Sequence, residues 1–305
     1  MVLGDGIRRN IATVGPKERA RLLKCILKLD SMKYPDMVSY WDKQEDIHKN
    51  AHQGGQDVHE GPAFIPWHRE LVNRFERLLR KVDKDISLHY WDWTQDPRHC
   101  SDGKRGFVNL FTKKFMGNAN GDAGPPFQKF ESTEWTETPG NHHFIWRHMA
   151  PGPTRFPSDE AIITFADHLD ENKQFSAITS RDSSNALHYV HDIAHGYIGG
   201  TIGLQHFSFH DPFVFLLHSN MDRLWAMWQT VPSERKWRTD PEKVYGIESD
   251  SDSINSIIEP WGGETGLRPW SRPEDGQGDP DSVAEKKTCK DKSVVTPPKY
   301  DTNLS

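Results

Sequence analysis

The stretch ALHYVHDIAHGYIGGTIGLQHFSFHDPFVFLLHSNMDRLWAMW, residues 186–228, decides the fold of this chain. It places His191 and His195 four residues apart, and helical residues at that spacing lie on one face, one turn apart. A third histidine, His218, comes just before another helical pattern. Two imidazoles on one helix face and a third from a neighbouring helix can surround one metal ion, although a lone pair at this spacing more often binds no metal.

A second group of histidines lies upstream, in IHKNAHQGGQDVHEGPAFIPWHRELVNRFERLL, residues 47–79. His68 begins a helical pattern, His59 lies in a Gly-rich segment, and His48 precedes both. Two separate triplets predict two ions bound by neutral imidazole. Sites made of imidazole alone suit copper, zinc, iron or nickel, and not magnesium or calcium.

Three motifs resemble those of the tyrosinase, catechol oxidase and haemocyanin family of type-3 dicopper proteins. HEGPAFIPWHRELVNRFE resembles its copper-A motif, and VHDIAHGYIGG with DPFVFLLHSNMDRLWAMW resembles its copper-B motif. HYWDWTQDP, residues 89–97, resembles a further signature. The resemblance covers roughly residues 40–228 and implies two copper ions, each held by three histidines.

The resemblance assigns six ligands and leaves one alternative open. Copper A would be held by His48, His59 and His68, and copper B by His191, His195 and His218. The first copper-A ligand is either His48 or His52. We favour His48, because the family draws this ligand from a helix ahead of a loop and His48 follows the apolar Ile47 in such a segment.

The chain departs from the family at Leu217 and Asp192, and we predict that these two positions and Gly196 influence catalysis. Leu217 stands where most relatives carry a second histidine beside His218. Asp192 follows His191, where relatives that hydroxylate monophenols often have asparagine, helped by a glutamate slightly upstream that is also missing here. Asp192 could still act as a base. Gly196 is expected either to keep the pocket entrance open or to serve packing.

Other polar residues near the motifs have less defined roles. The remaining ring N–H of each ligand needs an acceptor, and Asp192, Asp211 and Asp222 lie near the ligands in sequence. Asp222 is expected to form a structural ion pair with Arg223. Six further histidines are interpreted as spare or loop residues: His142, His143, His148, His188, His206 and His210.

The pattern of apolar residues predicts a mainly α-helical protein, with a four-helix bundle core holding the dicopper site and a few short peripheral strands. Helices are predicted over residues 16–29, 39–49, 69–82, 158–169, 185–198 and 221–229. Residues 88–94 are expected to be extended. Residues 100–155 read as long irregular loops with a possible hairpin, and we expect them to rim the active site.

Composition narrows the class of protein. The chain has 305 residues and a net charge of −6 without a basic cluster, which argues against nucleic acid as a partner. No apolar segment is long enough to cross a membrane, and the first residues lack a signal-peptide pattern, so we expect an intracellular protein. We predict one tyrosinase-like domain over residues 1–305, with residues 260–305 wrapping the core.

The three cysteines are far apart in sequence and do not indicate a disulfide framework. They are expected to be buried thiols. No cysteine lies between His48 and His59, which predicts that a cysteine–histidine thioether, present at copper A in some relatives, is absent here.

The resemblance implies a copper enzyme that oxidises o-diphenols to o-quinones with O2 and would oxidise related o-aminophenols by the same two-electron step. Its partners would then be O2 and a small phenolic substrate, and monophenol hydroxylation would be weak. One alternative is an O2-binding protein like haemocyanin. Another is a zinc hydrolase, because HDIAH at residues 191–195 resembles the HExxH zinc motif.

Overall fold

The computed structural model describes residues 4–33, 37–53, 58–130, 144–258 and 287–303, with the side chains of residues 52 and 53 left out. Helices dominate the described residues, as predicted. The long helices are α1 (Pro16–Ser31), α2 (Asp42–Gln53), α3 (Phe64–Val82), α6 (Leu187–Ile198) and α7 (Phe213–Thr230). The short helices are α4 (Asp159–Thr164), α5 (Glu171–Thr179), α8 (Asp252–Asn255) and α9 (Lys292–Val295). None of the described helices is long and apolar enough to cross a membrane.

The strands in the described residues are short and form two antiparallel pairs. β1 (Cys100–Ser101) pairs with β2 (Phe107–Val108), and β3 (Asn120–Asp122) pairs with β4 (Trp146–His148). Both pairs lie within residues 100–155, which were expected to be long irregular loops with a possible hairpin. The segment expected to be extended, residues 88–94, forms a single bridge at Tyr90, opposite Asn10.

Two helices begin earlier than the apolar pattern predicts. Each earlier start changes the position of a histidine relative to its helix. α3 starts at Phe64 and α7 at Phe213, so His68 and His218 lie inside their helices and not ahead of them. The predicted helix began after Pro66, but proline is compatible with the first turn of a helix, because an N–H there would have no partner within the helix. At α7 the side chain of Asp211 accepts a hydrogen bond from the Phe213 N–H at 3.0 Å.

The core is built around α3 and α7, which pack on each other, while α7 also packs on α4 and α6. Aromatic rings fill the space between the helices. Phe75 of α3 stacks on Phe215 of α7 with ring centroids 3.6 Å apart, and Trp41 meets each of them edge-on at 5.7 Å. Edge-to-face and stacked rings combine a large buried area with a preferred geometry, so this cluster fixes the spacing of the helices.

A buried ion-pair network crosses the same interface. Asp222 of α7 accepts hydrogen bonds from Arg69 of α3 and from Arg8 Nη1, the latter at 2.9 Å, and all three side chains are at most 1% exposed. Arg8 also pairs with Glu76 at 2.8 Å. The expected pair between Asp222 and Arg223 is wrong, because neighbouring residues on a helix point in different directions. Arg223 pairs instead with Asp159 at 2.7 Å.

The described part of the C-terminal segment packs on the core. Residues 260–286 and 304–305 lie outside the described residues, whereas residues 287–303 pack on the core through the buried Val294, Val295 and Tyr300. The Tyr300 hydroxyl donates to Asp222 at 2.7 Å and accepts from Arg8 at 2.9 Å. Both ends of the described chain therefore meet at one carboxylate of α7.

The cysteines match their prediction: Cys25, Cys100 and Cys289 are buried and free. Burial raises the pKa of the Cys25 and Cys100 thiols to about 12, so both remain protonated at neutral pH.

The network makes a first prediction about stability. Replacing Asp222 with alanine should lower the free energy of unfolding by about 3–5 kcal/mol, because two buried arginines lose their shared partner. As a control, Asp5→Ala removes the more exposed pair with Arg9 and should cost less than about 1 kcal/mol. Urea unfolding followed by circular dichroism measures both. Equal effects of the two substitutions would contradict the role assigned to the network.

Candidate metal centre

Six histidines converge into two adjacent triads. His48, His59 and His68 form the first triad, and the ring nitrogens that they offer lie within 4.8 Å of one another. The second triad meets the same criterion and consists of His191, His195 and His218. Five of these side chains come from α2, α3, α6 and α7, while His59 lies on the turn between α2 and α3. The structure thus brings together all six residues that the sequence analysis favoured.

The Nε2 atoms face one another within each triad. In the first triad, the Nε2 atoms of His48 and His59 are 2.8 Å apart. In the second, His191 Nε2 lies 3.0 Å from the Nε2 atoms of both His195 and His218. The triads also touch, because the His68 and His218 rings stack with centroids 4.9 Å apart. One pocket therefore holds two sets of three convergent nitrogens.

Hydrogen bonds from Nδ1 determine which nitrogen points inward. His68 Nδ1 donates to the Phe64 carbonyl at 2.8 Å, and His218 Nδ1 to the Val214 carbonyl at 3.0 Å. In both cases the acceptor is the residue four positions earlier on the same helix. A ring whose Nδ1 carries the proton presents a lone pair at Nε2, which is the form that binds a metal.

The other two histidines of the second triad use a backbone carbonyl and a carboxylate. His195 Nδ1 donates to the Ile202 carbonyl at 2.6 Å, and His191 Nδ1 to Asp192 Oδ1 at 3.0 Å. The Ile202 carbonyl reaches back because Gly199 and Gly200 end α6 with positive φ. A Cβ at Gly199 would lie 2.3 Å from the His148 carbonyl oxygen, so only glycine allows this close turn.

Burial keeps the ligand imidazoles neutral. Desolvation, followed by the charges of neighbouring histidines, holds the pKa values of His48, His68, His191 and His218 well below the usual value. Desolvation also lowers the pKa of His195. Neutral lone pairs that face one another at about 3 Å repel unless a cation lies between them. The arrangement therefore fits two metal ions held by neutral imidazole.

Two phenylalanines enclose the triads. Phe209 packs on His48 and His218, with ring centroids 4.4 and 4.8 Å away. Phe64 packs on His68 and His191, at 4.7 and 4.9 Å. Each phenylalanine contacts one histidine of each triad, so the same apolar contacts hold both triads in place.

The triads open into a pocket of about 220 Å³. Besides the six histidines, its lining consists of Arg181, Asp192, Gly203, Gln205 and Ser208. Within the described part of the chain, no residue from 100–155 lines this pocket, so the expectation that this stretch rims the site is wrong there. The rim comes from the segments that flank α6. The sequence analysis missed Arg181, which no motif singles out.

The three predicted catalytic positions have different surroundings. Asp192 lines the pocket, and its two oxygens contact His191 and Arg181. Gly196 is exposed outside the lining, and a Cβ there would meet no atom within 4 Å. The structure does not place Leu217 at the pocket as predicted, because its side chain packs into the core with 0% exposure and does not line the pocket.

The other candidate acceptors and histidines are engaged elsewhere. Asp211 binds Arg147 with two hydrogen bonds of 2.6 and 2.7 Å, so like Asp222 it is not an acceptor for a ligand ring. His188 donates from Nδ1 to the Thr179 carbonyl at 2.8 Å, and His210 Nδ1 lies 3.4 Å from Glu45. His148 is exposed. His142, His143 and the His52 side chain lie outside the described residues.

Comparisons with known proteins agree with this site. The family defined by the common central domain of tyrosinase matches residues 38–231. The chain is 26% identical to the tyrosinase of Streptomyces lincolnensis, over 84% of this chain and 92% of that protein. It is 30% identical to a putative tyrosinase-like protein of Caenorhabditis elegans, over 77% of this chain, and spans 33% of that protein.

Two solved structures share the fold. A polyphenol oxidase from Thermothelomyces thermophila superposes with a TM-score of 0.59 at 18% identity, covering 96% of this chain and 87% of that one. A functional unit of octopus haemocyanin superposes with a TM-score of 0.51 at 18% identity, covering 97% of this chain and 68% of that one. The helical fold is thus shared with a polyphenol oxidase and with a functional unit of a haemocyanin.

The two candidates for the first ligand of the first triad can be separated by metal content. We expect His48→Ala to lower the metal content from two ions per chain to one, because His48 Nε2 faces His59 Nε2. His52→Ala, the matched control one helical turn later, should keep two. Elemental analysis of copper-loaded, gel-filtered protein measures this. Retention of two ions by His48→Ala and loss of one by His52→Ala would reverse the assignment.

A second pair of substitutions tests the other triad. His218→Ala should also leave one ion per chain, because the neighbouring Leu217 cannot replace the lost ligand. His188→Asn is the control, since His188 lies on α6 one turn before His191 but donates to a backbone carbonyl. It should keep two ions. Two ions in the His218→Ala variant would show that this residue is not a ligand.

Proposed function

Because this chain belongs to the tyrosinase family of type-3 dicopper proteins, we propose that it oxidises o-diphenols to o-quinones with O2. Two catechols and one O2 would give two quinones and two waters. The observation that carries the proposal is that two buried triads of neutral imidazoles share one pocket open to solvent. Related o-aminophenols are candidate substrates for the same two-electron oxidation.

The two His triads fit the two copper sites of the family. When bound, the copper ions supply the redox chemistry, passing electrons from the phenolic substrate to O2. The protein itself holds the neutral imidazole ligands in a buried site from which water is largely excluded. Backbone carbonyls orient His68, His195 and His218, which fixes both the tautomer and the ring plane.

Asp192 has a positioning role in this proposal. Its Oδ1 accepts from His191 Nδ1 and its Oδ2 accepts from Arg181 Nε at 2.7 Å. With both oxygens engaged, this carboxylate is poorly placed to take a proton from a phenol, which weakens the idea that it serves as a base. The small Gly196 leaves the outer surface of α6 open beside His195, and Leu217 would act only through packing behind His218.

An O2-binding protein without turnover is the second candidate, favoured by the shared fold with octopus haemocyanin. A single-zinc hydrolase would leave the first triad without a purpose, although its nitrogens converge as closely as those of the second. Two coppers per chain with catechol turnover would support the oxidase, two coppers without turnover the carrier, and one zinc the hydrolase. The intracellular location and the single-domain organisation stay predictions.

We expect fast oxidation of catechols and slow or absent oxidation of simple monophenols. A monophenol has to lose its proton before it can bind copper, and its intrinsic pKa near 10 makes this rare at neutral pH without an oriented base. A catechol needs no hydroxylation. The measurement is a side-by-side rate assay of 4-methylphenol and 4-methylcatechol with copper-loaded protein.

Asp192→Asn is the matched variant for that assay, because asparagine keeps the shape and can still accept from His191. A gain of monophenol oxidation in this variant would identify residue 192 as the position that limits it. Comparable turnover of both substrates by the unchanged protein would refute the expected preference.

A further inference from the structure

A short chain of ion pairs lies at the rim of the metal pocket. Arg181 donates from Nη1 to Glu60 and from Nε to Asp192 Oδ2, the second at 2.7 Å. These groups are partly hydrated: the side chains of Arg181 and Asp192 are each 37% exposed, and that of Glu60 is 69% exposed. The guanidinium thus joins Asp192, which lines the pocket, to Glu60, which lies outside the lining.

The positions of these residues connect them to both triads. Glu60 directly follows His59, and Asp192 directly follows His191, so each carboxylate is one residue from a ligand of a different triad. Arg181 lies in the segment between α5 and α6 and lines the pocket together with Asp192. A substrate whose ring reaches the imidazoles would leave its side chain near this rim.

The rim has an excess of negative charge. Glu60 lies outside the pocket lining but contacts Arg181, so the two carboxylates and the guanidinium sum to a net charge of −1. The other lining residues besides the histidines are uncharged: Gly203, Gln205 and Ser208. Asp182, exposed beside Arg181, adds a further negative charge outside the pocket.

We propose that this rim selects among phenolic substrates by charge, favouring catechols that bear an ammonium group over catechols that bear a carboxylate. The inference rests on the proposed function and specifies its substrate class. Glu60 and Asp192 attract the ammonium group, while an incoming carboxylate finds the Nε and Nη1 positions of Arg181 already occupied by two carboxylates. A neutral catechol falls between the two.

The size of the effect follows from Coulomb's law. One excess unit charge about 6 Å from a charged substrate group, in a water-like dielectric, changes affinity by roughly threefold. Ammonium and carboxylate groups experience opposite signs, so their affinities should differ by about tenfold. Because the rim is hydrated, the difference should shrink as ionic strength rises towards about 1 M.

The test compares three catechols whose two-carbon side chain ends in an ammonium group, in hydrogen or in a carboxylate: 4-(2-aminoethyl)catechol, 4-ethylcatechol and 3-(3,4-dihydroxyphenyl)propanoate. Their dissociation constants are measured by calorimetry on zinc-loaded protein, which binds without oxidising them. We expect the ammonium compound to bind about tenfold more tightly than the carboxylate at low salt. Equal affinities, no binding, or tighter binding of the carboxylate would overturn the proposal.

Charge variants assign the effect to the rim. Glu60→Gln removes the excess charge and should bring the affinity ratio close to one, whereas Arg181→Gln should raise it severalfold. Using ratios within each variant cancels changes in metal content. Glu242→Gln alters the net charge by the same amount at an exposed residue outside the pocket lining and should leave the ratio unchanged. If Glu242→Gln changed the affinity ratio as much as Glu60→Gln, the net charge of the whole protein, and not the rim, would determine that ratio.

Turnover of the same compounds by copper-loaded protein separates the two proposals. Oxidation of neutral 4-ethylcatechol tests the proposed function by itself. If it is not oxidised while the zinc-loaded protein still discriminates by charge, the oxidase proposal fails and the rim proposal stands. If it is oxidised and the three compounds bind alike, the oxidase proposal stands and the rim proposal fails.

Discussion

The rest of the structure depends on holding neutral imidazoles together, out of water, with their lone pairs directed inward. Such an arrangement is unfavourable without a cation, so the surrounding protein has to enforce it. It does so with backbone acceptors that fix three of the rings, and α3 and α7 each use the carbonyl four residues before their histidine. The same hydrogen bond on two helices places His68 and His218 face to face.

Rigidity of α3 and α7 is therefore the condition for the site, and the core provides it in two ways. Phe75 and Phe215 stack between the helices, and Asp222 connects them through Arg69. The buried ion pairs bury no additional apolar surface. They do fix the register of α3 against α7, because each arginine has a defined carboxylate partner. The termini contribute Arg8 and Tyr300 to this network, which explains how residues far from the motifs affect the geometry of the metal ligands.

A feature can be predicted from the sequence when the residues that determine it lie close together along the chain, and not when they lie far apart. The helical spacing and the family motifs identify the ligands, because those signals are local. The starts of α3 and α7 lie earlier than predicted because proline and apolar residues occupy their first turns. The partners of Asp222 and the presence of Arg181 at the rim depend on contacts between residues up to 214 positions apart, and no local pattern encodes them.

One ligand differs from the other five in its support. His59 lies on a turn, whereas the others are fixed to helices that the core holds in place. A ligand on a turn can swing away without unpacking a helix, so metal would dissociate from the first triad by release of His59. The two coppers of a loaded molecule should accordingly differ in lability, and a chelator would extract the ion of the first triad before that of the second.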